Sequence, residues 1–146
     1  MFEVHKITQP EELQAAFAVR KEVFIQEQGV ADEEEFDVFD LTSAHFVAFD
    51  DADNACGTAR WRKTEQGIKL ERFAVLIPYR GKGVGALLLQ HVLDDIAQYP
   101  ELDAQTIYLH SQATAVDFYR KYGFQKVGDL FYECEIPHYK MEKVSS

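Results

Sequence analysis

Hydrophobic positions follow two different periods in the N-terminal part of the chain. Apolar and polar residues alternate over residues 2–7, which predicts an opening strand. Apolar residues at helical spacing come next, and they predict a helix that begins near Pro10 and ends at Gly29. Thr8 is the predicted N-cap of this helix, and Glu11 is its predicted capping-box acid. The chain is therefore expected to open with a strand and one helix.

Three further strands are predicted in the middle of the chain, over residues 44–49, 56–63 and 69–76. Turn-forming residues separate them at positions 50–54 and 66–67. Consecutive strands joined by short turns pair antiparallel. This segment is therefore predicted to be a meander.

The C-terminal half contains a predicted parallel βαβ unit. A glycine-rich stretch leads from the third of these strands into a helical pattern over residues 83–99, and a short apolar strand is predicted over residues 106–109. A second, shorter helix is predicted over residues 112–122. Thr114 and Asp117 stand at the spacing of a capping box in that helix.

The end of the chain is predicted to complete the sheet. Gly123 is expected to end the second helix in a left-handed conformation. Residues 125–144 predict one or two closing strands, interrupted at Pro137. No repeat or linker divides the chain.

Composition indicates a single domain over residues 1–146. The chain is 47% hydrophobic and 27% charged, which is the balance of an ordinary globular domain. A chain of this length can bury a core without disulfides or a structural metal. Cys56 and Cys134 are predicted to be reduced packing residues. No metal site is expected, because the histidines and cysteines show no ligand spacing.

The net charge of −10 is concentrated in one segment. Between Glu22 and Ala59 there are eleven acidic residues and no Lys or Arg. Without a basic stripe, neither duplex nucleic acid nor an anionic membrane is an expected partner. The first residues lack a signal-peptide pattern and no apolar run is long enough to span a membrane, so a cytoplasmic location is expected.

The strongest chemical signal is the glycine-rich loop of residues 80–85, which precedes the predicted helix. Backbone N–H groups of such a loop can converge on an anion at the positive end of the helix dipole. A Walker loop is excluded, because Lys82 is followed by Gly83 rather than Ser or Thr. A dinucleotide fingerprint is disfavoured, since the next strand does not end in an acidic residue.

At this loop the sequence resembles the GNAT superfamily of acetyl-CoA-dependent N-acetyltransferases. Arg80, Gly83 and Gly85 occupy the positions of the family signature Arg/Gln-x-x-Gly-x-Gly/Ala. Residues 71–75 resemble the fourth strand of the family, and residues 115–124 resemble its late helix.

Other segments resemble the small bacterial ElaA-like branch of that superfamily. They are residues 23–29, Glu35, Asp37, His45 and residues 136–141. The branch often has glycine before its Ile-Pro-His sequence, where this chain has Glu135.

The resemblance implies the GNAT fold, an α+β arrangement with a mixed, mostly antiparallel sheet of six to seven strands flanked by helices. It also implies acetyl-CoA as the co-substrate, with its pyrophosphate on the glycine loop and its pantetheine arm along the fourth strand. The implied cofactor-binding residues are Phe73, Ala74, Val75, Arg80, Gly81, Lys82, Gly83, Val84, Gly85 and Ala86.

Tyr119 is the general acid that the resemblance implies, since a phenol stays protonated at neutral pH and can protonate a leaving thiolate. The alternative is a core aromatic residue. The general base remains open among Glu71, His110, Glu133 and His138. Glu71 and His110 are the catalytic candidates among these, and Glu133 and His138 are assigned to substrate binding.

Arg20 and Arg72 are also candidate substrate-binding residues, either lining the acceptor cleft or forming ordinary ion pairs. The predicted reaction is direct transfer of an acetyl group, in a ternary complex, to a primary amine of a small molecule or peptide. The acidic segment predicts a neutral or cationic acceptor. A non-catalytic acyl-CoA sensor and a protein-binding module are the alternatives, and the chain is expected to be a monomer or homodimer.

Overall fold

A central sheet of eight strands organises the computed structural model, which describes residues 1–144. The strands are β1 (Glu3–Lys6), β2 (Ala44–Phe49), β3 (Ala55–Thr64), β4 (Gly67–Val75), β5 (Ile107–Gln112), β6 (Phe124–Lys126), β7 (Phe131–Glu133) and β8 (Ile136–Lys143). Their order is β1-β2-β3-β4-β5-β8-β6, and β7 also pairs with β8. Within residues 1–144, β4 and β5 are the one parallel pair. The predicted mixed, mostly antiparallel sheet with one parallel βαβ unit is confirmed.

Helical segments flank the sheet. They are α1 (Pro10–Arg20), a π-helix (Lys21–Glu27), α2 (Asp32–Glu35), α3 (Val84–Ile96) and α4 (Val116–Arg120), with short 3₁₀ turns at Val38–Leu41, Ile77–Tyr79, Pro100–Leu102 and Ala113–Ala115. Both α1 and α3 contact β2, β3 and β4. The apolar side chains of α3 join the main core, while Val19 and Val23 form a separate cluster with Ala74.

The sheet has more strands than the six to seven predicted, because the C-terminal segment contributes three. Strands β6 and β7 have three residues each, too few to show a period-two pattern. Pro137 does not interrupt the closing segment as predicted, since it lies inside β8 opposite Tyr132. It also precedes His138, the first β8 residue paired with β5, so its missing N–H costs no bond to that strand.

The first helix differs from its prediction in both its start and its end. Gln9, rather than Thr8, is the N-cap, and its side chain makes no capping hydrogen bond. Gln9 is extended because it precedes Pro10. The predicted capping box with Glu11 is therefore wrong. The α-helix ends at Arg20, and the chain reaches Gly29 through the π-helix.

The helix after β5 also lacks its predicted capping box. A 3₁₀ turn comes first, so Ala115 rather than Thr114 is the N-cap of α4, and no side chain caps it. Gly123 has φ +91°, which confirms the predicted left-handed end of this segment.

The glycine loop is held against the sheet by close packing of α3. A Cβ atom at Gly57 on β3 would lie 2.9 Å from Val84 Cγ1 and 3.0 Å from Leu88 Cδ1. Both residues are buried in the first turns of α3. The absence of a side chain at Gly57 thus lets the start of α3 approach the strand. Among residues 1–144, no helix is long and apolar enough to cross a membrane.

Candidate functional site

A cleft of about 710 Å³ opens where β4 separates from β5. The two strands pair only from Ile68 to Leu70 on β4 and from Ile107 to Leu109 on β5. Beyond Leu70, β4 keeps its partner β3, but its other edge has no β5 partner. The cleft therefore exposes a strand edge without a strand partner over residues 73–75, the segment that the resemblance assigns to the cofactor arm.

A β-bulge bends β4 at this point. Arg60 of β3 pairs with Glu71, and Thr58 pairs with Ala74, so two β4 residues lie opposite one β3 residue. Arg72, the first of them, has φ +60° although it is not glycine. Strained backbone of this kind is concentrated at functional sites, where the surrounding structure holds it.

Backbone N–H groups of the glycine loop are unpaired. Among residues 1–144, no oxygen accepts a hydrogen bond from the N–H groups of residues 81–86. Gly81 and Gly83 have φ +76° and +88°, the left-handed conformation that glycine adopts readily, and α3 begins directly after Gly83. A Cβ at Gly85 would lie 3.4 Å from the Phe118 ring, so this glycine allows close packing with α4. The six N–H groups fit an anion such as a phosphate.

Arg80 joins the glycine loop to the cleft. Its Nε donates to the carbonyl oxygen of Val75 at 2.8 Å, and its other nitrogens donate to both carboxylate oxygens of Glu27 at 2.9 and 2.6 Å. The hydrogen bond from Arg80 lowers the pKa of Glu27. The sequence did not indicate this pair, since the two residues are far apart in the chain. Lys82 forms no ion pair within residues 1–144.

Tyr119 lines the cleft beside the open edge of β4. The residue is 8% exposed, and no described residue hydrogen-bonds its hydroxyl; since no buried side-chain polar atom among residues 1–144 lacks a partner, the hydroxyl oxygen itself is accessible. The ring contacts Phe73, Phe118 and Phe124 edge-on. Burial raises the pKa of Tyr119 well above its ordinary value, so the phenol stays protonated at neutral pH.

His110, Glu133 and His138 form a cluster at the other end of the cleft. His110 Nδ1 lies 2.9 Å from Glu133 Oε2 and donates to it, because a carboxylate only accepts. His138 Nδ1 donates to the Ile136 carbonyl, and its Nε2 lies 3.6 Å from Glu133 Oε1. Burial raises the pKa of Glu133, but the hydrogen bond and charge of His110 outweigh it and lower that pKa. The cluster leaves Nε2 of His110 without a protein partner among residues 1–144.

Glu71 lines the same cleft but is fully engaged by cations. Its carboxylate receives hydrogen bonds from Arg60 and Arg62 at 2.9 and 2.6 Å, and Lys69 lies 3.3 Å away. Burial alone raises the pKa of Glu71, yet the Arg62 hydrogen bond and the surrounding positive charge lower it to about 2. Such a carboxylate is a weak base at neutral pH, which disfavours the predicted catalytic role of Glu71.

Arg20 does not line the cleft, contrary to its predicted role. Its guanidinium is 1% exposed and donates to Glu35, at 2.7 Å from Nε, and to Asp40, at 2.7 Å from Nη1. Arg72 does line the cleft, and it also binds Glu35 and Asp37. The sequence could not separate the two roles, because the carboxylate partners of both arginines lie far from them along the chain.

Part of the acidic segment is neutralised by arginines within the fold. Glu35, Asp37 and Asp40 bind arginines of α1, β3 and β4, so they do not form a free acidic surface. Glu34 is the member of this segment that is both exposed and in the cleft wall. Its Oε2 accepts a hydrogen bond from Cys134 Sγ at 3.0 Å.

Cys134 and Glu135 form the tight turn between β7 and β8, with φ +50° and +65°. Glycine is favoured at such positions, so the non-glycine residue at position 135 falls where left-handed backbone is required. Cys134 is exposed, which corrects its prediction as a packing residue, whereas Cys56 is buried as predicted.

A side-chain hydrogen bond of 2.9 Å from Gln112 to Gln28 connects β5 with the end of the π-helix beside the cleft. Gln28 belongs to the ElaA-like segment of residues 23–29, but the sequence did not indicate that it pairs with Gln112.

The acetyltransferase (GNAT) domain family matches residues 5–145. The chain belongs to this family. The N-acetyltransferase YjcF of Bacillus subtilis, described as uncharacterized, is 38% identical over 134 residues, which cover 91% of this chain and 93% of that protein.

Solved structures of relatives have the same fold. Escherichia coli ElaA has a TM-score of 0.87 and 25% identity, covering 99% of this chain and 100% of that one. An acyl-CoA N-acyltransferase of Pseudomonas aeruginosa has a TM-score of 0.83 and 27% identity, covering 99% of each chain. The predicted ElaA-like GNAT resemblance is confirmed, and the protein is an acyltransferase.

Proposed function

We propose that this protein transfers an acetyl group from acetyl-CoA to a primary amine by direct attack in a ternary complex. The observation that carries the proposal is the free edge of β4 next to a loop with six unpaired N–H groups. A cofactor with a pyrophosphate followed by an amide-containing arm needs an anion-binding loop beside an open strand edge. Arg80 lines the cleft and joins the glycine loop to the edge of β4 through the Val75 carbonyl.

The cofactor-binding residues divide into two groups. The N–H groups of residues 81–86 hold the pyrophosphate, with Lys82 and Arg80 adding positive charge. The edge of residues 73–75 binds the pantetheine arm as an additional strand would bind. When bound, acetyl-CoA supplies the acyl group in activated form, as a thioester.

Residues at the bulge and on α4 stabilise the charges that develop during transfer. A backbone N–H of residues 73–75 donates to the oxyanion as the amine attacks the thioester carbonyl. Tyr119, which lines the cleft, then donates its proton to the leaving sulfur. The raised pKa of Tyr119 keeps that proton in place until the thiolate forms.

His110 is the residue that the geometry favours as general base. Glu133 accepts the Nδ1 proton and so orients the ring, which leaves Nε2 to take a proton from the ammonium form of the acceptor. Glu133 also stabilises the charged imidazolium that results. His138 lies next to this pair and contributes to the acceptor wall.

The acceptor is a neutral or cationic amine of a small molecule or peptide. Glu34 and Glu133 are the cleft carboxylates that are neither deeply buried nor paired with an arginine. They favour an ammonium group over a carboxylate near the amine.

Thiol release from acetyl-CoA tests this function. It is measured with a panel of neutral and cationic amines and, for comparison, with amines that carry an acidic group. Release that depends on an added amine supports it. Binding of acetyl-CoA by calorimetry without turnover for any amine favours the acyl-CoA sensor, and no binding at millimolar acetyl-CoA favours a module that binds protein partners alone.

A further inference from the structure

The side chain of Arg72, at the strained bulge of β4, binds two carboxylates of the acidic segment. Arg72, at φ +60°, donates from Nη2 to Asp37 Oδ2 at 3.2 Å, and its Nε lies 3.2 Å from Glu35 Oε2. Nη2 also donates to the backbone carbonyls of Glu34 and Glu35. The Arg72 side chain is thus tied to the end of α2 and to Asp37, which precedes the next 3₁₀ turn.

The same carboxylates are fixed from the other side by buried arginines. Glu35 accepts from Arg20 Nε at 2.7 Å, and Asp37 accepts from Arg60 at 2.9 and 3.0 Å. Arg20 and Arg60 are 1% and 0% exposed. Buried charges of this kind are held rigidly, because leaving one unpaired is costly. Arg72 is therefore anchored to α1 and β3, the rigid part of the fold.

We propose that Glu35 and Asp37 are positioning residues, which hold the bulge through Arg72 and so aim the N–H groups of residues 73–75 at the thioester. This inference rests on the proposed acetyl transfer. Arg72 directly precedes the open edge, so a change in its backbone turns the peptide units that follow. A displacement of 1 Å at a reacting group can lower a rate about a hundredfold.

Asp40 provides a matched control within the same cluster. Its side chain is 10% exposed, against 26% for Asp37, and it binds Arg20 and Arg60 but not Arg72. Asp37→Asn keeps the N-cap acceptor for Phe39 N–H while removing the charge that faces Arg72. Asp37→Asn and Asp40→Asn therefore each remove one carboxylate charge that faces Arg60, and they differ in their connection to the bulge.

The test compares kcat for thiol release, the Kd for acetyl-CoA and the melting temperature of these variants with the wild type. Asp37→Asn and Glu35→Gln are expected to lower kcat about tenfold to a hundredfold with Kd changed less than threefold, while Asp40→Asn lowers the melting temperature but keeps kcat near that of the wild type. Arg72→Lys should lower kcat like Asp37→Asn, since an ammonium cannot reach both carboxylates and both carbonyls.

Equal kcat in Asp37→Asn and the wild type, or equal losses in the Asp37 and Asp40 variants, would overturn the inference. Hydrogen exchange of the residue 73–75 amides gives a second readout that needs no turnover, and Asp37→Asn should accelerate it more than Asp40→Asn does. An inactive wild type would instead contradict the acetyl-transfer proposal, and the exchange comparison would still decide the positioning role.

Discussion

Tyr119 and Phe73 meet edge to face, with their ring centroids 6.1 Å apart and their planes at 86°. Phe73 belongs to the open edge of β4, and Tyr119 belongs to α4. The contact therefore holds the phenol beside the strand segment that we propose binds the cofactor. Aromatic pairs in this geometry are stabilising beyond the area they bury.

Replacing Tyr119 with Phe should lower kcat about a hundredfold or more, while the Kd for acetyl-CoA stays within about twofold of the wild type. The ring contacts of Tyr119 remain, and only the proton donor is lost. Thiol release and calorimetry measure the two quantities. Tyr122→Phe is the control, because Tyr122 packs on Phe118 outside the cleft wall and should keep full activity. An unchanged kcat in Tyr119→Phe would show that another group protonates the thiolate.

Replacing His110 with Gln should lower kcat about a hundredfold or more, since no group then accepts the amine proton in the same place. Glu133→Gln should have a smaller effect, because His110 remains but loses its orienting acceptor. Steady-state thiol release measures kcat for both variants. His91→Gln, at an exposed position on α3, is the control. If both variants keep the wild-type kcat, a water chain or the solvent acts as the base.

The strand order around the cleft followed from the sequence, because each of its elements has a strong local signal. The apolar strand before Arg80, the glycines after it and the helical repeat from Val84 predict a parallel crossover in any context. Tyr119 and the loop residues could be named because the family motif fixes their positions. Short strands such as β7 could not be predicted, since three residues show no period.

Roles that depend on partners distant in the sequence could not be predicted. The general base was open among Glu71, His110, Glu133 and His138 until their neighbours were known. Three cations at Glu71 then separated it from the other three. Arg20 and Arg72 were likewise equivalent until burial distinguished them. The role of the acidic residues 22–53 had the same ambiguity, because their arginine partners all lie outside that range.

Protonation of Glu71 should destabilise the fold at acid pH. Its folded pKa of about 2 lies below the ordinary 4.5, so its stabilisation is complete above pH 4.5 and is lost as the pH falls toward 2. The difference corresponds to about 3 kcal/mol, at roughly 1.4 kcal/mol per pKa unit. Denaturant unfolding between pH 6 and 2.5 should therefore show a smaller decline for Glu71→Gln than for the wild type. Glu65→Gln, in the exposed β3–β4 turn, should keep the wild-type decline, and parallel curves for all three would contradict this origin of the acid sensitivity.

Removing the charge of Glu27 should tighten acetyl-CoA binding about twofold to fivefold, the range expected for one partly exposed ion pair. Glu27 holds both outer nitrogens of Arg80 and places a negative charge beside the loop that we propose binds pyrophosphate. Glu27→Gln frees the guanidinium for the phosphates and removes the repulsion. Calorimetric Kd values at low and high salt measure this, and the variant should lose more affinity in salt than the wild type. Glu22→Gln, an exposed acid on the same π-helix, should match the wild type. Weaker binding by Glu27→Gln would instead mean that Glu27 orients Arg80 for the cofactor.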